Sequence, residues 1–178
     1  NEADIIAVYP LSTTRMGAGG KQLHKAIKVM GFIKQLGYEV RFIVPNAHAN
    51  AKYEKEAIEQ MYNLAYEYGL ARDELIFTSF FDVPKYEHGV DHQVVMDLFR
   101  LSNLFIFPSV SENCPLVLLE AAISKNLLVL NASFPAMRDF VRENAFYFNF
   151  GSLVDNPKFP NGEDVYMFDV AKIIISEL

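Results

Sequence analysis

Cysteine is nearly absent from this sequence: Cys114 stands alone among 178 residues. No internal disulfide can form, which fits a reducing, cytoplasmic compartment. Basic charge is also in deficit. Sixteen lysines and arginines stand against 22 aspartates and glutamates, a net charge of −6. Proteins that bind nucleic acid or anionic membranes are usually basic. Neither partner is therefore expected, and any anion site must be built locally. No window approaches the roughly 18 uninterrupted apolar residues of a membrane helix, so no membrane contact is expected of the chain. Internal repeats and low-complexity tracts are lacking. An initiating methionine and a signal-peptide pattern are lacking too. The chain opens Asn1-Glu2-Ala3-Asp4 and closes inside a helical pattern, Ile173 to Leu178; a piece of a longer protein is expected. A phosphoreceiver domain needs two aspartates near strand ends. Here the first strand ends Val8-Tyr9-Pro10 and the third Phe77-Thr78-Ser79. Cys114 lacks the His and Asn partners of a nucleophilic cysteine. His88 and His92 have helical metal spacing, but Gly89 lies between them and no cysteine or third histidine is near. They read as loop and helix-cap residues, and no metal is expected.

What is present is a globular composition, 51% hydrophobic and 21% charged, of a length that suits one domain over 1–178. Short apolar runs alternate with helical patterns. Strands are expected at Ile5–Tyr9, Val40–Val44, Leu75–Thr78, Leu104–Phe107, Leu127–Leu130 and Ala145–Phe148. Helices are expected at about Lys21–Leu36, Ala51–Tyr68, Val90–Leu101, Pro115–Ser124, Ala136–Val141 and Glu163–Glu177. Prolines 10, 45 and 108 close strands, and Gly37 and Gly69 close helices. Continuous apolar strands imply burial on both faces. The fold class is α/β: a Rossmann-like three-layer sandwich, with a parallel sheet of about six strands covered by helices on both faces. Ligands of such sheets bind beyond the carboxyl ends of the strands. That edge carries Ser12–Lys21, Ser79–Asp91, Ser109–Cys114 and Asn131–Pro135.

The central stretch is Ser111-Glu112-Asn113-Cys114-Pro115-Leu116-Val117-Leu118-Leu119-Glu120-Ala121, which follows the strand Leu104–Phe107. Pro115 suits the first helical position. The amides of Leu116 and Val117 then point from a positive helix end, a place for phosphate. Glu120 lies in a helix apolar on nearly all sides, which implies burial. A lone buried carboxylate needs a partner. Two readings stay open: Glu120 reaches solvent or an arginine, or it faces a crevice and binds ligand hydroxyls. A second loop, Thr13-Thr14-Arg15-Met16-Gly17-Ala18-Gly19-Gly20-Lys21, fails as a Walker loop because Arg15 stands for the first glycine and Gln22 for the hydroxyl. It fails as a dinucleotide fingerprint because Gln22 stands where the third glycine belongs.

Glu-x7-Glu after a strand ending in Phe-Pro-Ser, followed by Ala-Ala-x-x-x-Asn-Leu-Leu-Val-Leu-Asn, resembles the donor-binding motif of retaining GT-B glycosyltransferases. It is most similar to family four, the glycosyl transferases group 1. The resemblance spans nearly the whole chain. It implies that Glu112 contacts the transferred sugar, that the backbone of Asn113, Cys114, Leu116 and Val117 holds the diphosphate, and that Glu120 holds the ribose diol. Arg15 and Lys21 would neutralise the diphosphate, and the Ser79-Phe80 region would face the base. The family usually has Gly-Phe-Gly between the glutamates. Asn113-Cys114-Pro115 stands here, and Pro115 has no amide to offer. The Arg15–Lys21 loop is one residue longer than usual. The implied chemistry is hexosyl transfer from a nucleoside diphosphate sugar with retention and without an essential metal or other cofactor. The implied partners are the sugar donor and an N-terminal acceptor-binding domain of the same protein, so the fragment alone is expected to bind donor without transferring it. Alternatives on the same fold are a nucleotide-sugar epimerase and a non-catalytic binding domain. A phosphorylase would need a pyridoxal-binding lysine, and none is identifiable.

Overall fold

The computed structural model describes residues 3–17, 20–81, 83–112, 115–155 and 157–178. Six strands form one sheet, parallel throughout: β1 (Ile5–Val8), β3 (Val40–Val44), β5 (Leu75–Phe77), β6 (Leu104–Phe107), β7 (Leu127–Asn131) and β8 (Phe146–Phe148). Their spatial order is β5-β3-β1-β6-β7-β8. A two-residue parallel pair, β2 (Leu11–Ser12) with β4 (Asn46–Ala47), continues the path of β1 and β3 past Pro10 and Pro45. These fragments are too short to leave a periodic signal in the sequence.

The helices are α1 (Leu23–Gln35), α2 (Lys52–Glu67), α3 (His92–Leu101), α4 (Leu116–Ile123), α5 (Ala136–Val141) and α6 (Glu163–Glu177). Helices α2 and α6 pack on α1, whereas α4 packs between α3 and α5. Right-handed crossovers put these two groups on opposite faces of the sheet. All four residues of β6 are buried, as expected of a strand covered on both sides. The aromatic core is built on it: Phe107 meets Tyr9 edge-on at 5.5 Å, and Phe105 meets Phe99 of α3 edge-on at 5.6 Å.

Three expectations change. Helix α1 begins at Leu23 rather than Lys21, because Gln22 takes a left-handed turn (φ 49°) just before it. Helix α4 begins at Leu116. Pro115 stands before it with non-helical torsions, φ −79° and ψ 72°, and its carbonyl accepts the Leu118 amide at 2.9 Å. Nor is α4 buried all round. Leu118 and Ala121 enter the core, whereas Leu116 and Ile123 are 60% and 73% exposed. Apolarity predicted burial there, but the neighbouring helices cover only one side.

Candidate functional site

From β1 the chain steps outward to β3 and β5. It then crosses back to β6 on the other side of β1. The order reverses between β1 and β6, and the loops leaving these two strands diverge to opposite faces. Such a point opens a crevice at the carboxyl edge of a parallel sheet. The two loops that meet there carry Arg15 and Lys21 on one side, and Glu112 and the start of α4 on the other.

The first loop is folded back on itself. Lys21 N donates to Arg15 O at 2.8 Å, Gln22 N to Gly17 O at 3.1 Å, and Leu23 N to Met16 O at 3.0 Å. A Cβ on Gly20 would lie 2.7 Å from the Arg15 carbonyl oxygen, so this turn admits only glycine. The fold-back drives Lys21 inward. Its ammonium pairs with the Glu112 carboxylate and sits 4.9 Å from the centre of the Phe107 ring. The two side chains are 8% and 9% exposed. Burial lowers the Lys21 pKa, and the bond to Glu112 offsets only part of that. Ser109 Oγ donates a further bond to Glu112 Oε1 at 2.7 Å. Arg15 Nη2 donates to the Ser111 carbonyl at 2.6 Å and lies 3.8 Å from Glu112, its side chain 44% exposed. Below them the Tyr9 hydroxyl donates to the Lys21 carbonyl at 2.8 Å. Burial, then the Glu112 charge, pushes the Tyr9 pKa well up, which keeps that proton in place. Two cations and one carboxylate thus converge at the crevice, leaving a local positive charge in an acidic protein.

Among the described residues, no side chain caps helix α4. Its first amides, Leu116 and Val117, have no carbonyl of their own helix to bond, so the positive helix end faces the crevice. Asn113 and Cys114 lie outside the described residues. Glu120 stands one turn into α4. Its partner is neither solvent alone nor an arginine: His92 Nε2 lies 2.8 Å from Glu120 Oε1. Sequence reasoning had His92 only as a cap residue, although its place at the head of α3, on the carboxyl edge, was a usable signal.

Ser79 and Phe80 fall in a 3-10 turn, Thr78–Phe80, directly after β5. Ser79 is engaged by Asn46, whose Nδ2 donates to Ser79 Oγ at 2.9 Å and whose Oδ1 accepts from Ser79 N at 3.1 Å. Asn46 Nδ2 also reaches Thr13 Oγ1 at 3.0 Å, so this turn is tied to the Arg15 loop. The Phe80 side chain points elsewhere. With Tyr62, Arg72, Ile76 and Phe81 it lines a cavity of about 460 Å³ beside edge strand β5, whose walls include none of Arg15, Lys21, Glu112 or Glu120. Asn46 and Asn131 are buried hubs that the sequence reading missed. Asn131 Nδ2 donates to Ser109 O at 3.2 Å and Gly151 O at 2.7 Å, while its Oδ1 accepts from Phe150 N at 3.0 Å. It fixes the exit of β6 just before Glu112. Asparagines after strands are so common as turn residues that neither stood out.

Among the described residues, no group of three or more His, Cys, Asp or Glu is placed to hold a metal ion, and no helix is long and apolar enough to cross a membrane.

No family model matches the chain, and no curated protein matches it. Solved structures do, among them glycosyltransferases of the GT-B fold. A sucrose-phosphate synthase from Thermosynechococcus elongatus superposes with a TM-score of 0.67 at 15% identity, over 99% of this chain and 38% of that one. An α,α-trehalose-phosphate synthase (UDP-forming) from Burkholderia vietnamiensis gives 0.61 at 14% identity, over 98% and 38%. The C-terminal domain of a glycosyl transferase group 1 family protein from Francisella tularensis gives 0.60 at 16%, over 96% and 74%. The fold is therefore the α/β, Rossmann-like fold of GT-B glycosyltransferase domains. The chain spans little more than a third of the length of the two synthases.

Proposed function

We propose that this chain is the donor-binding half of a retaining glycosyltransferase and holds a nucleoside diphosphate sugar in the crevice between β1 and β6. One observation carries the reading: Arg15 and Lys21 on the β1 loop meet Glu112 on the β6 loop, beside the start of helix α4, at the topological switch point. Arg15, the more exposed cation, is the first contact for the diphosphate. Lys21 shares its ammonium between Glu112 and the incoming phosphate. The amides of Leu116 and Val117 complete the cradle. As the sugar–phosphate bond breaks, charge grows on the leaving diphosphate, where fixed cations and helix-end amides stabilise it. Glu112 contacts the sugar, Glu120 accepts bonds from the ribose diol, and the Ser79-Phe80 turn borders the base. In this reading Arg15 and Lys21 serve the charge-neutralising role that a metal fills elsewhere. A hexose is the proposed group transferred. The acceptor would sit on an N-terminal domain of the same protein, in the cytoplasm, so this chain alone binds donor without turning it over.

The test is a thermal-shift screen against UDP, GDP, ADP, CMP and dTDP with their sugars, followed by calorimetric titration. A ligand that binds only the folded state raises the melting temperature. One nucleoside diphosphate is expected to bind, and Glu120→Ala to weaken it about tenfold. Absence of binding by every nucleotide at millimolar concentration, or equal affinity of wild type and Glu120→Ala, would overturn the reading.

A further inference from the structure

We infer that His92 is a positioning residue for Glu120, and that it sets how strongly the site prefers a ribose over a sugar without vicinal hydroxyls. The inference rests on the ribose role given to Glu120 above. His92 is the first residue of α3, with Asp91 before it as cap. Its Nε2 lies 2.8 Å from Glu120 Oε1. An ionised carboxylate can only accept, so the ring nitrogen must be the donor. The bond occupies one lone pair of Oε1 and leaves the other, together with all of Oε2. A diol donating two hydrogen bonds needs one lone pair on each oxygen. Ring and diol can therefore be held together.

The pair is not needed to hold the helices. Asn126 fastens α3 to α4 from the buried side: its Nδ2 donates to Phe99 O at 2.9 Å and Ala121 O at 3.3 Å, and Ser102 Oγ donates to its Oδ1 at 2.6 Å. His92 is 72% exposed and Glu120 22%. Exposed pairs of this kind contribute little to stability. What the bond does is fix a rotamer. A glutamate near the surface samples several side-chain conformations, and a ligand that needs one of them loses affinity to the ordering. His92 imposes the ordering beforehand, from a backbone position held by the head of a neighbouring helix. The neighbouring carboxylate at that helix head does not compete for the His92 ring, because Asp91 is paired with Lys85 at 2.9 Å.

The experiment compares UDP, GDP and ADP, each with its 2′,3′-dideoxy counterpart, by calorimetric titration of wild type, His92→Phe and His92→Gln. For the base that binds, the wild type is expected to favour the ribose form by about tenfold. His92→Phe should cut that preference about threefold and leave the dideoxy affinity unchanged. His92→Gln restores a donor at the same reach and should keep most of the preference. Melting temperatures should agree within about 2 °C. If His92→Phe weakens both ligands alike, or leaves the ratio untouched, His92 does not position Glu120 for the diol. Equal wild-type affinity for the two ligands is a different failure: it removes the ribose role of Glu120, and the proposal with it.

Discussion

At the scale of single residues, the buried Lys21–Glu112 pair has the most consequence for both stability and chemistry. Removing one member leaves a largely buried charge without its main partner, and such singly broken pairs cost about 3–5 kcal/mol when fully buried. Ser109 still donates to Glu112, so Lys21→Met is expected to cost about 2–3 kcal/mol. Glu112→Gln should cost a similar amount, because the ammonium then faces a neutral amide beside Phe107. The double variant should recover part of the loss, since no uncompensated charge remains. Urea unfolding of the four proteins at neutral pH measures this as a coupling. Single variants within about 0.5 kcal/mol of wild type would mean that Arg15 and crevice water compensate the remaining charge. The same residues show what the sequence could reveal about the site. Glu120 stood out by itself, as a carboxylate in an apolar helix, whereas Arg15, Lys21 and Glu112 drew their expected roles from the resemblance to the glycosyltransferase motif. Glu112's engagement with Lys21 was not visible. It depends on a loop fold-back set by several backbone hydrogen bonds, and no residue type encodes that. The His92–Glu120 bond depends likewise on how α3 and α4 lie side by side.

At the scale of elements, α1 and the end of α2 approach so closely that one residue decides the contact. A Cβ built on Gly31 would stand 2.5 Å from Tyr68 Cβ and 2.7 Å from Tyr68 O. Alanine in mid-helix is worth about 1 kcal/mol over glycine. Here the obstacle is partly backbone, which cannot swing aside, and overpacking costs about 1–3 kcal/mol or more. Gly31→Ala should therefore lower the melting temperature by a few degrees (about 2–4 °C per kcal/mol at this chain length). A melt at or above wild type would show that Tyr68 yields freely. The elements themselves were largely legible. Each sheet strand is a short apolar run, and proline or glycine marks many of its borders, because those residues end hydrogen-bonded ladders and helices for steric reasons. The helix starts were harder. The left-handed turn at Gln22 replaces the first turn of α1, and only the surrounding loop makes such a torsion tolerable in a residue with a side chain. Helix α4 misled in the opposite way. Its composition says core, but burial is decided by neighbours, and α3 and α5 leave Leu116, Leu119 and Ile123 outside.

At the scale of the whole molecule, the first and last helices are clasped by charge, and the clasp gives the fold a defined response to acid. Lys28 of α1 reaches Glu163 at 2.7 Å and Asp164 at 2.9 Å on α6, and the Lys25 ammonium lies 3.5 Å from Glu163. Burial pushes both carboxyls up, but Lys28, joined by Lys25 at Glu163 and by the Tyr68 hydroxyl at Asp164, outweighs it and holds them below their usual values of 4.5 and 3.8. His24, on the same helix, is held down from 6.5 to about 4, chiefly by burial and then by the Lys25 charge. In each case the unfolded chain binds protons at a pH where the folded chain does not. Stability must therefore fall as pH falls through these windows. The histidine window comes first, from pH 6.5 down to about 4, and should cost about 2 kcal/mol by its lower half. The carboxylate contribution is intact above about pH 4.5 and is lost below it, as Glu163 and Asp164 become protonated. Urea unfolding at intervals between pH 7 and pH 3.5 should thus show two successive declines. His24→Leu should flatten the first and keep the second, and Glu163→Gln should keep the first and shrink the second, which Asp164 still feeds through Lys28. Because α6 packs against α1 over its buried face, and α1 against the central strands, both declines should register in a single cooperative transition. A wild-type stability that stays level down to pH 4.5 would show that His24 takes up its proton inside the fold without cost. Separate melting of α6 would show that the clasp is local and does not hold the molecule together.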